Sequence, residues 1–226
     1  MSDHPIYPHG PLVELTPGLW QLKGSLPFPL PRNMTVVRLA SGGLLLHSVI
    51  ALNEDGLRAL EALGKPEVMV VPHPFHLMDA PFYKARYPGL KVVAAEDAEQ
   101  KLAGKVTIDG RPQAILPAVG IRFELPPGMK VQEIVLDLDV AGGRALVFTD
   151  LFGTGIPGLF GKLLGAPGGV GVARIVKLRQ ITDRPAVRAY LAKKAEATDL
   201  KLILVAHGEP LQVGCAEALR RAAERV

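Results

Sequence analysis

Four apolar runs in this chain each end in a side chain that can bind a metal ion or move a proton. The terminal residues are His47, His73, Asp150 and His207. In α/β proteins the loops at the carboxyl ends of strands converge on one crevice, where ligands bind. We therefore expect these four side chains to lie close together. The alternative is that they are unrelated polar residues that end their strands, since His and Asp both suit turns.

The segment after the second run adds two more candidate ligands. It reads His73-Pro-Phe-His76-Leu-Met-Asp79, and its spacing could place His73, His76 and Asp79 on one side of a turn or short helix. Neutral imidazole and carboxylate together suit zinc, iron or manganese. This spacing alone is only moderately specific for a metal site. The strand-end pattern provides additional support for the same interpretation.

Length and composition predict one domain over residues 1–226, with residues 1–10 as an N-terminal tail. A chain of 226 residues with 48% hydrophobic and 21% charged residues can bury a sizeable core and is not disordered. No apolar run is long enough to span a membrane and no secretory signal is visible, so we expect a cytoplasmic protein. The single cysteine, Cys215, fits a reducing compartment and is expected to be a small buried residue. Basic residues are dispersed and aromatic residues make up 5%, which argues against a nucleic-acid partner.

The pattern along the chain changes from hairpins to β–α alternation. Turn signals separate the short apolar runs of residues 11–49, which is typical of antiparallel strands. After Asn53, a predicted N-cap, helical spacing continues until Gly64. Further strands are predicted at 67–71, 91–95, 114–123, 131–138, 144–149 and 200–206, and helices at 80–87, 96–102, 184–198 and 213–226, with 172–180 ambiguous. This order favours a mixed α/β (α+β) sandwich with helices covering sheets.

The order strand-His, strand-Asp, strand-His-Gly resembles the metallo-β-lactamase fold, a four-layer αββα sandwich. The stretches 38–48, 63–64, 72–77 and 149–151 resemble a branch of that superfamily to which no reaction is assigned. The resemblance extends from about Met34 to Leu211. It implies that Asp150 matches the bridging aspartate and that His207-Gly208 matches the final histidine.

The same resemblance shows departures from the usual ligand motif. His73 and His76 match its first two histidines with one inserted residue, Met78 replaces the aspartate, and Asp79 replaces the last histidine. Met129 stands where another histidine is expected, and His47 replaces an early aspartate. The resemblance thus implies an incomplete, mononuclear site for a divalent metal, zinc first and iron or manganese as alternatives. Its ligands would come from His73, His76, Asp79, Asp150 and His207.

We interpret the chain as a metal-dependent hydrolase acting on a small ester, amide, thioester or phosphodiester. Asp79 or Asp150 would orient a water or accept its proton. The alternative is a superfamily member without catalysis that binds a small ligand or a protein partner in the same crevice. The missing histidine favours this second interpretation, and the retained Asp150 and His207 favour the first.

Other features are open to more than one interpretation. Glu133 could replace the missing ligand, but a solvent-facing strand position is favoured. The glycine-rich segment 152–171 is interpreted as an irregular connection, with an apolar lid or a homodimer contact as alternatives. Within it, residues 153–158 match GxGxxG, but Pro157 and the position late in the chain argue against a dinucleotide turn. Arg174, Lys177 and Arg179 could face an anionic substrate, although a solvated face is favoured.

Overall fold

A computed structural model describes residues 4–28, 30–156, 158–163, 165 and 169–226, without the side chains of 159, 160 and 163. Ten strands form two sheets in this part of the chain. The strands are β1 (Val13–Thr16), β2 (Leu19–Gly24), β3 (Arg32–Arg38), β4 (Leu44–His47), β5 (Pro66–Val71), β6 (Lys91–Ala94), β7 (Arg122–Glu124), β8 (Val135–Val140), β9 (Gly143–Phe148) and β10 (Leu200–Val205). The helices are α1 (Glu54–Leu63), α2 (Ala80–Arg86), α3 (Glu99–Leu102), α4 (Pro112–Ile115), α5 (Gly158–Leu163), α6 (Arg174–Arg179), α7 (Arg184–Lys194) and α8 (Cys215–Glu224).

The first sheet has the order β1-β2-β3-β4-β5-β6. Its first four strands pair antiparallel, as the hairpin signals predict, and β4, β5 and β6 pair parallel. Parallel neighbours need a crossover, which α1 supplies between β4 and β5 and α2 supplies between β5 and β6. The side chain of Asn53 accepts a hydrogen bond from the Gly56 N–H at 2.8 Å, which confirms the predicted N-cap of α1.

The second sheet has the order β10-β9-β8-β7, with β9 and β10 parallel. Three apolar clusters separate the layers. One lies between the two sheets and includes Leu45, Val70 and Val147. A second lies between the first sheet and its helices, and a third between the second sheet and α6, α7 and α8. The chain therefore forms the four-layer αββα sandwich that the sequence predicts.

The sequence-based assignment of residues 114–123 differs from the structure. These residues were expected to be extended, but α4 and a 3₁₀ turn at Pro117–Val119 occupy the first part of the range, and only β7 is a strand. Proline near the start of each turn favours helical geometry there and removes a ladder donor. The ambiguous range 172–180 contains α6.

The two sheets are joined at the edge where several strands end. The Ile134 N–H donates to the carbonyl of Pro72 at 2.8 Å, and the Asn33 N–H donates to the carbonyl of Ala206 at 2.8 Å. These bonds bring the segments after β5, β9 and β10 to one end of the sandwich. Within the residues described, no helix has both the length and the apolar character that a membrane crossing requires.

Candidate metal centre

The Asp150 carboxylate lies at the centre of three imidazole rings. Its oxygens are 3.1 Å from Nδ1 of His73, 3.3 Å from Nε2 of His76 and 3.5 Å from Nε2 of His207. One ligand atom from each of His76, Asp150 and His207 lies within 4.8 Å of the others. The strand ends thus bring together three of the four terminal residues, as well as His76.

The outer nitrogens of two rings are held by the surrounding protein. Nδ1 of His207 is 2.7 Å from the carbonyl oxygen of Pro31, which can only accept, so this nitrogen carries a proton. Nε2 faces Asp150 and is the nitrogen that would bind a metal in its deprotonated form. Nδ1 of His76 is 2.8 Å from the hydroxyl of Ser48. Outer hydrogen bonds of this kind orient metal-ligating histidines in proteins. The donor set therefore fits a divalent metal held by two imidazole nitrogens and a carboxylate.

The charges in the cluster support an ionised Asp150. Burial would raise the pKa of Asp150, but the charge of His76 and the hydrogen bond from His207 outweigh it and hold this pKa well below its usual value. Burial lowers the pKa of His73, with partial opposition from Asp150. Burial also acts to lower the pKa of His207, but Asp150 reverses this and raises it. An anion surrounded by imidazoles is the arrangement that a cation completes.

Glu133 holds the backbone that presents Asp150. It is fully buried, and its carboxylate accepts hydrogen bonds from the N–H groups of Thr149 at 2.7 Å, Asp150 at 2.9 Å and Leu151 at 2.8 Å. The expectation of a solvent-facing position is therefore wrong, because Glu133 lies just before β8 at the junction between the sheets. Burial, with the Asp150 charge adding to it, raises the pKa of Glu133 to about 7. Both oxygens are engaged by backbone, so Glu133 does not replace the missing ligand here.

Asp79 is engaged away from the imidazole cluster. One oxygen is 2.6 Å from Nε2 of His4, and the other accepts the N–H of Ala51 at 3.0 Å and pairs with Arg32 at 2.6 Å. The sequence spacing was expected to place Asp79 beside His73 and His76. The structure instead puts it at the N-terminus of α2, where it neutralises a buried Arg32.

His47 and Met129 occupy two positions at which the chain departs from the family pattern: His47 replaces an early aspartate, and Met129 stands where a histidine is expected. His47 is buried, and its Nε2 has no hydrogen-bond partner among the described residues. Burial lowers the pKa of His47 to about 3, despite a hydrogen bond with the Ile134 backbone. Met129 pairs with Ile181 through an isolated bridge and packs against the apolar cluster of the second sheet.

The sequence analysis did not identify the polar groups that hold His76 and His207 in place. Asn33 donates from its side chain to the carbonyls of Val205 at 2.8 Å and Gly208 at 2.7 Å, on either side of His207. Ser48 has a φ of 55°, a rare conformation for a residue other than glycine, and its hydroxyl meets His76. A serine directly after His47 was visible in the sequence, but its partner lies 28 residues away.

A pocket of about 490 Å³ opens beside Asp150 and His207, which both line it. We call the part of the pocket at these two residues its base. The other described lining residues are mainly apolar. Gly153 and Gly171 exchange two backbone hydrogen bonds of 2.9 Å, which join the two ends of the glycine-rich segment beside the pocket. Within that segment α5 replaces part of the expected irregular connection. The lid interpretation falls partly on 157, 164 and 166–168, which lie outside the described residues.

Comparison with solved structures identifies the fold. The chain is similar to metallo-β-lactamase FIM-1 from Pseudomonas aeruginosa in its mono-zinc form, at 14% identity and a TM-score of 0.65, with 96% of each chain covered. It is also similar to a metallo-β-lactamase from Erythrobacter litoralis, at 18% identity and a TM-score of 0.65, with 95% of this chain and 96% of that chain covered. A metallo-β-lactamase from Hirschia baltica matches at 14% identity and a TM-score of 0.63, with 95% of this chain and 98% of that chain covered.

The protein therefore has the metallo-β-lactamase fold, as the sequence resemblance implies. No family model matches the chain, and no curated protein matches it. At these identities the structural likeness concerns the fold. What the chain does must be argued from its own site.

Proposed function

We propose that the protein is a metal-dependent hydrolase with a single-metal site formed by His76, Asp150 and His207. His73 supports the site through Asp150. The observation that carries this proposal is the convergence of three ligand atoms, from His76, Asp150 and His207, within 4.8 Å of one another. Two of these residues, Asp150 and His207, also line a pocket. Zinc is the metal we expect first, because imidazole and carboxylate ligands suit it.

The chain's own residues divide the work of such a reaction. A divalent metal held by these ligands would supply Lewis acidity, which polarises a carbonyl or phosphoryl group and makes a water nucleophilic near neutral pH. The Asp150 oxygen that faces His76 and His207 would bind the metal. The other oxygen, 3.1 Å from Nδ1 of His73, would orient the water. Glu133 fixes the Asp150 backbone, and the apolar pocket walls exclude bulk water from the base.

Asp79 enters this proposal in a different role from the one its spacing suggested. Its two oxygens already meet His4, Ala51 and Arg32, so we propose that it stabilises the fold. Metal binding by Asp79 would leave Arg32 buried without its counter-ion, which is costly.

A non-catalytic ligand-binding protein is the second candidate function. Met129 packs into the apolar cluster where the resemblance leads one to expect a histidine, and this observation favours the alternative. Such a protein would bind a small molecule in the same pocket without turnover and without a metal requirement.

The test is hydrolysis of p-nitrophenyl acetate, a thioester and a bis-p-nitrophenyl phosphodiester by chelator-treated protein with and without added zinc, iron(II) or manganese. We expect turnover of at least one substrate only with metal, and its loss in His207→Ala. The matched control is His9→Ala, since His9 is half-buried and lies outside the cluster, where its Nε2 accepts the N–H of Asn53 at 3.0 Å. Folded protein that hydrolyses none of these substrates and takes up no metal would support the binding alternative.

Several accompanying predictions concern location and partners. We expect a cytoplasmic protein with a small-molecule substrate and without a nucleic-acid partner. A homodimer contact by the apolar residues of the glycine-rich segment is the remaining prediction about assembly.

A further inference from the structure

The pocket walls carry information about the substrate that the metal ligands do not. Six large apolar side chains line the pocket: Leu30, Phe75, Phe152, Ile156, Ile175 and Val176. Among the described wall residues, charged or amide side chains outside the base are confined to Arg179 and Gln180. A ligand site built this way takes an apolar body and fixes its orientation with few polar groups.

Helix α6 provides both kinds of contact. Ile175 and Val176 line the pocket from its first turn, and Arg179 and Gln180 lie about one turn further along the same side. Ile175 is 44% exposed although it is a large apolar residue. Covering an exposed apolar side chain with a ligand removes its surface from water, which lowers the free energy of the complex.

Arg179 lacks an acidic partner within the described part of the chain. The other two basic residues of α6 are not suited to this role. Lys177 already donates to the carbonyl of Arg225 at 2.8 Å, and Arg174 does not line the pocket. A guanidinium at the pocket wall without a carboxylate neighbour is suited to an anionic group of a ligand.

Resting on the proposed function, we propose that the substrate is an amphiphilic acyl compound. Its apolar chain of several carbons lies between Phe152, Ile156 and Val176, and an anionic group contacts Arg179. The scissile carbonyl then lies over Asp150 and His207 at the base. The reaction is hydrolysis: water adds its oxygen to the acyl carbon, the bond to the leaving oxygen or sulfur breaks, and the leaving group receives a proton.

Chain-length dependence tests this proposal in two independent ways. First, kcat/KM is measured for p-nitrophenyl acetate, butyrate and octanoate. Each methylene buried in the pocket is expected to raise kcat/KM by up to about fourfold, so octanoate should exceed butyrate by at least about tenfold. Second, calorimetric titration with octanoate and butyrate measures binding without turnover. In these two probes the carboxylate takes the place of the anionic group at Arg179, and the alkyl chain lies along the apolar wall. We expect tighter binding of octanoate, with a negative heat-capacity change that reports apolar burial.

Substitutions of lining residues show whether the chain-length preference depends on the pocket or on another part of the molecule. Ala173→Phe fills the pocket and Ile156→Ser makes its wall polar, so both should reduce the preference for octanoate over butyrate by at least about fivefold. Leu178→Ser is the matched control, because Leu178 is 63% exposed on α6 and does not line the pocket. Arg179→Gln should weaken octanoate binding about threefold, whereas Arg174→Gln should leave it unchanged.

The outcomes distinguish the two proposals. Metal-dependent hydrolysis of the acetyl ester, together with equal binding and turnover of butyrate and octanoate, would overturn the acyl pocket and leave the hydrolase proposal intact. Octanoate binding that depends on Ile156 and Arg179, without turnover of any ester, would support the pocket and count against the hydrolase.

Discussion

The Glu133 carboxylate accepts the backbone N–H of Asp150 at 2.9 Å, and this contact is one of three that it makes to consecutive residues. A buried side chain thereby fixes the turn at the end of β9. Asp150 can then direct its own carboxylate towards His73, His76 and His207 because its backbone is already held.

Replacement of Glu133 by Gln should weaken metal binding. The glutamine side chain replaces one carboxylate oxygen by an NH2 group, which cannot accept, so at least one of the three backbone N–H groups loses its acceptor. We expect a 10- to 100-fold rise in the zinc dissociation constant, as is typical when an outer partner of a metal ligand is changed. Competition with a chromophoric chelator measures it.

The control for Glu133→Gln is Asp137→Asn. Asp137 is also buried, but it pairs with Arg144 and Arg122 on the second sheet. This variant should lower the free energy of unfolding and leave the zinc dissociation constant unchanged. Equal zinc affinities in wild type and Glu133→Gln would show that Glu133 does not position Asp150.

Replacement of Asp79 by Asn should destabilise the fold without changing metal affinity. Arg32 would remain buried without a full counter-charge, and breaking a buried ion pair on one side costs about 3–5 kcal/mol. Urea unfolding measures the loss. The exposed pair Lys23–Glu209 is the control, since Glu209→Gln should change the unfolding free energy by less than about 1 kcal/mol. Loss of zinc from folded Asp79→Asn would instead restore Asp79 to the ligand set.

The contrast between Asp79 and Asp150 shows what the sequence can predict. Asp150 and His207 were expected to lie close together because each directly follows an apolar strand. The positions of strand ends are set by the sheet and do not depend on the conformation of the loops. Asp79 was assigned by spacing within one irregular segment, and its partner Arg32 is 47 positions earlier. Glu133 was expected to face solvent because a glutamate in a strand usually does, but it lies just before β8 and is buried. Long-range partners of buried charges leave no local pattern. The sequence therefore predicted the layers and the proximity of the strand-end side chains, but not these contacts.

His47 should make the fold sensitive to acid. Its pKa is near 3 in the folded protein, against an ordinary value of 6.5, so the unfolded chain binds a proton that the folded protein excludes. Stability is therefore lost as the pH falls from about 6.5 towards 3, with a slope that approaches about 1.4 kcal/mol per pH unit. Below about pH 3 both states are protonated and the contribution of His47 stays constant.

The measurement compares wild type with His47→Asn by urea unfolding between pH 7 and pH 4. Asn can replace the ring's contact with the Ile134 backbone but does not titrate. The wild type should lose more stability than the variant over this range, since the carboxylates titrate alike in both. Parallel curves would contradict a buried neutral His47.

Ser48→Ala tests the outer contact of His76. The variant keeps the backbone near φ 55° but removes the hydroxyl that lies 2.8 Å from Nδ1. We expect zinc affinity to fall at least about 10-fold, because the ring loses the group that orients it. In the presence of chelator, the thermal unfolding midpoint of the variant should stay close to that of the wild type. An unchanged zinc affinity would show that the hydroxyl is not needed to orient His76.

Zinc stoichiometry tests the central claim most directly. Chelator-stripped protein is titrated with zinc by calorimetry, in parallel with Asp150→Asn and His76→Ala variants that circular dichroism shows to be folded. The account predicts about one zinc per chain for the wild type and at least a hundredfold weaker binding in both variants. A wild type that takes up no zinc, iron(II) or manganese, or variants that bind as the wild type does, would contradict the metal centre at His76, Asp150 and His207.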